Sequence, residues 1–286
     1  MDIQTIGVVG CGLMGSGIVE VCARAGFAVI VVEADAERLA AGLARVQQSV
    51  QRAVSRGKLS AAEAEATLSR VRGTTHLEDL RPADLVIEAV TEDLTVKQHV
   101  FRQLDGLLRP EVIIASNTSS LSIAALAAVT KRPDKVLGMH FFNPVPVMAL
   151  LELVRSILTS EETLATAQAI GARLGKTTVV APDRPGFIVN RLLIPYIIDA
   201  IKLYEAGLAS KEDIDTAVKL GLAHPMGPLT LADLVGLDTT LAVADVLYEE
   251  YGEARFKAPP LLRRMVAAGL LGRKSGRGFY DYRAQG

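Results

Sequence analysis

Hydrophobic and polar positions follow two different periods along the first two thirds of this chain. Short apolar runs of strand length, at residues 6–9, 29–32, 85–90, 112–115, 136–139, 150–154 and 177–180, alternate with longer stretches of helical spacing. In one of those stretches Leu39, Leu43, Val46, Val50 and Val54 recur at three- and four-residue steps, marking the buried face of a helix. Ser60 and Glu63 have the spacing of a capping box, which predicts a further helix start. Strand-length apolar runs alternating with amphipathic helices predict a doubly wound, mostly parallel sheet covered on both faces, an α/β class of Rossmann-like architecture.

The pattern changes where Pro182, Pro185 and Gly186 punctuate the chain. Beyond them no run of the strand type recurs, and residues 187–205, 211–220, 229–234, 240–251 and 261–268 read as helices separated by Gly and Pro. The expected organisation is therefore a Rossmann-like domain over 1–184 and an all-helical domain over 185–286. Two domains also suit a chain of 286 residues.

Composition narrows the function. A net charge of −1 argues against a surface built to neutralise nucleic-acid phosphates, so an anionic ligand has to be met locally. Cys11 and Cys22, the only cysteines, are too few for a disulfide framework or a zinc cage, and no metal site is expected. The chain opens without the charged and long apolar regions of a signal peptide, and no apolar run approaches the roughly 20 residues that span a bilayer. The expectation is a soluble, cytoplasmic protein that engages neither membrane nor nucleic acid.

The first apolar run leads directly into Gly10-Cys11-Gly12-Leu13-Met14-Gly15 and then into the helical pattern of Met14, Ile18, Val21, Cys22 and Ala25. In this strand–turn–helix setting the first glycine permits the tight turn, the second lets backbone approach a pyrophosphate, and the third lets helix and strand pack closely. The helix start offers its N–H groups to phosphate. Glu33 closes the second strand run near the interval of about 20 residues expected for the acid that binds the adenine ribose. A carboxylate there repels a 2′-phosphate and favours NAD over NADP. The alternative for Glu33 is a solvated acid at a strand end.

Two polar side chains stand where apolar ones would be easier. Glu152 lies among Leu150, Leu151, Leu153 and Val154, and a buried carboxylate needs a partner. His140 ends the preceding run, and a connection containing Asn143, Pro144 and Pro146 leads on to Glu152. Pairing Glu152 with His140 would fix the imidazole tautomer and stabilise the imidazolium formed on proton uptake, which suits a general base in alcohol oxidation. The competing reading of His140 is a satisfied core or turn histidine. Asn190 sits among Ile188, Val189, Leu192 and Leu193, and either a helix–helix hydrogen bond or a ligand has to satisfy its amide.

Asn117-Thr118-Ser119-Ser120 follows the strand run at 112–115, at the carboxyl end where open parallel sheets bind ligands. Its hydroxyls can reach a ligand or cap the next helix. Arg45, Ser49, Arg52 and Arg56 share one polar face of the first long helix, either a solvated face or a clamp for a substrate rich in phosphate.

Taken together, the segments at 10–17, 115–121, 138–148, 185–191, 224–228 and 272–280 resemble the L-3-hydroxyacyl-CoA dehydrogenase family, in particular its short-chain 3-hydroxybutyryl-CoA members. The resemblance covers nearly the whole chain. It implies reversible NAD-dependent oxidation of an (S)-3-hydroxyacyl-CoA, with His140 as base, Glu152 as its electrostatic partner, and Ser119 and Asn190 holding the substrate oxygen. It further implies cofactor contacts at Gly10, Gly12, Leu13, Met14, Gly15, Glu33, Glu92, Lys97, Ser119, Asn143 and Lys274. Coenzyme A contacts are implied at Ser49 and Arg56, and Arg52 joins them on the same helix face. Glu33 and Arg56 stand where the family generally has Asp and Lys. A homodimer through the C-terminal helical domain is also implied. Two rivals remain: a 3-hydroxy acid or sugar-acid dehydrogenase with a compact anion pocket, and a non-catalytic NAD(H)-binding relative.

Overall fold

Each of the seven apolar runs folds as a strand of one eight-stranded sheet in the computed structural model, which describes residues 3–283. The strands are β1 (Thr5–Val9), β2 (Ala28–Val32), β3 (Val71–Thr74), β4 (Leu85–Glu88), β5 (Ile113–Ser116), β6 (Val136–Phe141), β7 (Leu150–Arg155) and β8 (Thr177–Pro182). Their order is β3-β2-β1-β4-β5-β6-β7-β8, parallel throughout except for the antiparallel pair β6–β7. The doubly wound, mostly parallel α/β sheet expected from the periodicity is thus present.

The strand that periodicity missed is β3. Val71-Arg72-Gly73-Thr74 holds one apolar residue and lies at the sheet edge, so it needs no continuous hydrophobic run. Its Gly73 lets Leu39 and Leu43 close over the strand, since a Cβ there would lie 2.9 Å from Leu39 Cδ1.

The helices of this unit are α1 (Leu13–Arg24), α2 (Ala36–Ser55), α3 (Ala61–Ser69), α4 (Leu94–Leu107), α5 (Ile123–Ala127) and α6 (Glu161–Arg173). Their starts are set by short polar side chains that satisfy orphan N–H groups. Asp35 accepts from Arg38 N–H, Asp93 from Val96 N–H and Ser160 from Thr163 N–H. Ser60 and Glu63 form the reciprocal capping box. The core gathers Ile6 and Val8 of β1 and Val29 and Val31 of β2 against Ile18, Val19 and Cys22 of α1 and Val46 and Val50 of α2.

The chain divides into two compact units between Arg184 and Pro185. The second is all-helical: α7 (Val189–Glu205), α8 (Lys211–Gly221), α9 (Pro228–Val235), α10 (Leu237–Tyr251) and α11 (Pro260–Ala267). Ile194, Ile197, Ile198 and Ile201 of α7 pack with Leu229, Leu237, Leu247, Phe256 and Leu262 in its core. α7 starts two residues later than its apolar pattern suggests, because Phe187 adopts a φ of 44°, outside helical geometry.

Two buried aspartates hold this unit's C-terminal segment. Asp233 accepts from Phe279 N–H, Tyr280 N–H and the Tyr282 hydroxyl, and burial pushes its carboxyl above the usual range despite those bonds. Asp215 accepts from the N–H groups of Leu229 and Thr230 at the start of α9 and from the Tyr280 hydroxyl. Among the described residues no helix is long and apolar enough to cross a membrane, and no group of three or more His, Cys, Asp or Glu side chains is placed to hold a metal ion.

Candidate active site

The sheet order reverses at β1, whose neighbours are β2 on one side and β4 on the other. Loops leaving the carboxyl ends of the strands around such a switch point form a ligand crevice. The glycine turn follows β1, Glu92 follows β4, the 117–120 segment follows β5, and His140 lies near the end of β6.

In the glycine turn, Gly10 has a φ of 93°, and a Cβ on it would lie 2.7 Å from the Ala89 carbonyl oxygen. A Cβ on Gly15 would lie 1.9 Å from the Gly10 oxygen, so strand end and helix start can meet only without side chains there. A Cβ on Gly12 would meet nothing within 4 Å. Gly12 is the N-cap of α1, no side chain caps that helix, and no acid stands in its first turn. The start of α1 beside Leu13 and Met14 is therefore a cradle that suits a pyrophosphate, with no side-chain cap and no acid of its first turn competing for its donors.

Glu33 borders this turn. Its Oε1 accepts from Cys11 N–H at 2.6 Å and its Oε2 from Ala34 N–H at 3.0 Å, leaving second lone pairs on both oxygens for ribose hydroxyls. The residues present fit a dinucleotide with a free 2′-hydroxyl.

Around β4 and β5 a chain of acids and donors runs from the interior outwards. Glu88, fully buried, accepts from Val90 N–H, from the Lys97 ammonium at 2.7 Å and from the Ser116 hydroxyl at 2.6 Å. Lys97 Nζ also stands 3.4 Å from Glu92 Oε2. Glu92 Oε1 in turn accepts from the Thr118 hydroxyl at 2.6 Å and from both the N–H and the hydroxyl of Ser119, at 2.8 and 3.1 Å. Burial alone would raise the Glu92 carboxyl, but the Lys97 charge and these hydrogen bonds hold it below the usual range.

Lys97 is only 1% exposed and spends its charge on two protein acids. It supports the site from beneath, and Glu92 and Ser119 form the accessible layer. Sequence reasoning missed Glu88. The available signal was Lys97 itself, which shares the buried stripe of α4 with Phe101 and Leu104 and so required a buried acid.

β6 and β7 pair antiparallel with His140 opposite Glu152. Cross-strand partners point to the same face, and the side chains meet at 2.6 Å between Nδ1 and Oε2, the carboxylate fully buried. The Phe142 ring lies 4.5 Å from the imidazole, centroid to centroid. Asn117 accepts from Phe141 N–H at 2.9 Å, which ties the end of β5 to the end of β6 beside the histidine. Asn143 is exposed on the connection that follows, at a cis Asn143–Pro144 bond. Lys176, also unforeseen, donates to the carbonyls of Val145 and Met148 and fastens that connection. Asp183, another residue the sequence did not flag, accepts from Ser122 Oγ and from the N–H groups of Ile123 and Ala124 at the start of α5.

The basic face of α2 divides in two. Arg52 and Arg56 are exposed and form no ion pair among the described residues, and Ser49 is half-buried one turn earlier. Arg45 departs from this group: its Nη2 donates to the Cys11 carbonyl at 2.8 Å, placing it on the glycine turn rather than in a clamp. In the helical unit, Asn190 is half-buried in the first turn of α7, and its amide makes no hydrogen bond among the described residues, so the helix–helix bond foreseen as one alternative is not formed. Lys274 lies in a short turn, its ammonium 2.6 Å from Asp238 Oδ2.

Known proteins share this architecture and these sequences. Residues 5–184 match the model of the 3-hydroxyacyl-CoA dehydrogenase NAD binding domain, and residues 186–282 match that family's C-terminal domain. A 3-hydroxybutyryl-CoA dehydrogenase of Mycobacterium tuberculosis is 52% identical over 98% of this chain and 99% of its own. The human mitochondrial hydroxyacyl-coenzyme A dehydrogenase is 43% identical over 98% of this chain and 92% of its own. The crystal structure of (S)-3-hydroxybutyryl-CoA dehydrogenase from Ralstonia eutropha superposes with a TM-score of 0.94 at 49% identity, covering 98% of this chain and 99% of that one. With both of its units matched end to end, the chain belongs to the 3-hydroxyacyl-CoA dehydrogenase family and carries that family's NAD binding domain.

Proposed function

We propose that the protein interconverts (S)-3-hydroxyacyl-CoA, foremost 3-hydroxybutyryl-CoA, and the 3-oxoacyl-CoA, with NAD as hydride acceptor. The observation that carries this reading is the buried His140–Glu152 pair, formed across β6 and β7 towards the same carboxyl end of the parallel strands that the glycine turn follows. A carboxylate only accepts, so Glu152 holds a proton on Nδ1 and leaves Nε2 as the basic nitrogen of the neutral ring. Nε2 takes the 3-hydroxyl proton as the C–H bond breaks, and Glu152 stabilises the imidazolium that results. NAD supplies the two-electron acceptor for the hydride. Gly10, Gly12 and Gly15, with Leu13 and Met14, shape the pyrophosphate cradle, and Glu33 receives the adenine ribose hydroxyls.

Ser119 is oriented by Glu92 so that its oxygen faces the substrate hydroxyl, and Glu92 itself borders the nicotinamide side. Asn143, Asn190 and Lys274 complete the contacts to substrate and cofactor. Ser49, Arg52 and Arg56 receive the coenzyme A phosphates, for which exposed arginines whose guanidinium groups form no ion pair among the described residues are suited.

The 1–184 domain thus binds NAD and the 185–286 domain contributes to substrate binding and to a homodimer. Leu192, Leu203, Leu208, Leu220 and Leu222 expose apolar surface on that helical unit, and light scattering should give the mass of two chains. Cys11 and Cys22 are both free and buried, which suits a reducing, cytoplasmic compartment.

The test follows loss of NADH absorbance with acetoacetyl-CoA, with free acetoacetate and with no acyl compound. Turnover with the thioester alone supports the proposal. Equal turnover of free acetoacetate would favour a 3-hydroxy acid dehydrogenase, and NADH binding without any turnover would favour a non-catalytic relative.

A further inference from the structure

The Cys11 backbone is held from two sides. Glu33 Oε1 accepts its N–H at 2.6 Å, and Arg45 Nη2 donates to its carbonyl at 2.8 Å. Arg45 reaches the turn from α2 because Gly42, one helical turn earlier, has no side chain. A Cβ on Gly42 would lie 2.6 Å from Cys11 Cβ and Sγ and 2.7 Å from its carbonyl oxygen, so only glycine lets the helix close on the turn. The Arg45 Nε is buried without a hydrogen-bond partner among the described residues, leaving Cys11 as the polar anchor of this side chain.

In a trans peptide the C=O and the following N–H point in opposite directions. Fixing the Cys11 carbonyl therefore fixes the Gly12 N–H on the other side of that peptide, at the open N-cap of α1. Charge acts in the same sense. Glu33 places a carboxylate beside a turn that has to receive a pyrophosphate, and the Arg45 guanidinium offsets it from the opposite side of the same residue.

We infer that Arg45 is a positioning residue for the dinucleotide: through the Cys11 carbonyl it orients the Cys11–Gly12 peptide and offsets the Glu33 charge, and it takes no part in binding coenzyme A. The inference rests on reading the glycine turn as the NAD site.

Two measurements on R45M and R45K decide it. The first is the Kd for NADH from fluorescence titration without acyl compound, and the second is the KM for acetoacetyl-CoA at saturating NADH. R45M should weaken NADH about tenfold and R45K by no more than about threefold, because an ammonium still donates to the carbonyl. The thioester KM should stay within about twofold in both, with kcat little changed. An R45M Kd within about twofold of the wild type, or a thioester KM that rises as much as the Kd does, overturns the inference. Should R45M not fold, R45L, which likewise has no donor for the Cys11 carbonyl, takes its place under the same criteria. Absence of wild-type turnover with acetoacetyl-CoA would sink the proposed activity yet leave the NADH comparison intact.

Discussion

Replacing Glu152 with Gln removes one charge from a pair whose geometry is otherwise kept. The wild-type contact is 2.6 Å between a carboxylate with no exposure and a nearly buried imidazole, so little solvent screens it. At an effective dielectric of about 20, unit charges about 4 Å apart attract by about 4 kcal/mol, and this attraction exists only once His140 has become an imidazolium. A glutamine amide oxygen still accepts from Nδ1 and returns part of that energy. About 3–4 kcal/mol of selective stabilisation is lost, which lowers kcat by about 10²–10³-fold at 1.36 kcal/mol for each factor of ten.

The assay is steady-state reduction of acetoacetyl-CoA by NADH, with the NADH Kd and the thermal midpoint measured alongside. His140→Gln sets the floor, since it removes the base itself and should abolish turnover while NADH still binds. An E152Q enzyme within about fivefold of wild-type kcat would show that the imidazolium is not stabilised by Glu152, and the proposed mechanism would fail.

Further outcomes follow from the same geometry. Gly15→Ala places a Cβ 1.9 Å from the Gly10 oxygen and should lower both the thermal midpoint and NADH affinity; Gly12→Ala meets no protein atom within 4 Å, so its midpoint should hold while NADH affinity falls, and equal NADH binding by G12A and wild type would remove the pyrophosphate from that spot. Charge reversal at Arg52 and Arg56 should raise the KM for acetoacetyl-CoA more than that for NADH, and parallel changes would return this face to plain solvent contact. Glu92 carries a carboxyl lowered from its ordinary value of 4.5, because the Lys97 charge and the Thr118 and Ser119 donors together outweigh its burial. Its stabilisation is therefore complete above that ordinary value and lost as pH falls through the lowered folded value. The thermal midpoint of the wild type should drop more steeply than that of E92Q as pH falls below the ordinary value of 4.5, and parallel curves would contradict the assignment.

The glycine turn, the capping box at Ser60 and the candidate dyad were legible in the sequence because each is written in local chemistry. Glycine spacing next to a strand, a Ser three residues before a Glu, and a carboxylate among leucines each carry a physical requirement that few structures meet. What escaped was the environment beyond the chain's own neighbours. Arg45 shares a helix face with Arg52 and Arg56, and periodicity places all three alike. Only tertiary packing distinguishes them: the glycine turn covers the middle of α2, and the later arginines lie past its reach. The edge strand β3 escaped for a related reason, since a strand with one neighbour needs little hydrophobic content.

The dyad depends on one topological detail that no motif states. In a wholly parallel sheet, the strand after His140 would need a long crossover before it could lie beside β6. Here a short connection returns the chain antiparallel, fastened by Lys176 at the Val145 and Met148 carbonyls. The register then sets His140 directly opposite Glu152. A slip by one residue would turn Glu152 to the other face of the sheet and bring Leu151 or Leu153 towards the imidazole. Leu151 and Leu153, the buried leucines on either side of Glu152, make such a slip costly because it would exchange apolar contacts for an unpaired carboxylate. The same residues that made Glu152 conspicuous in the sequence therefore hold it in register with its partner.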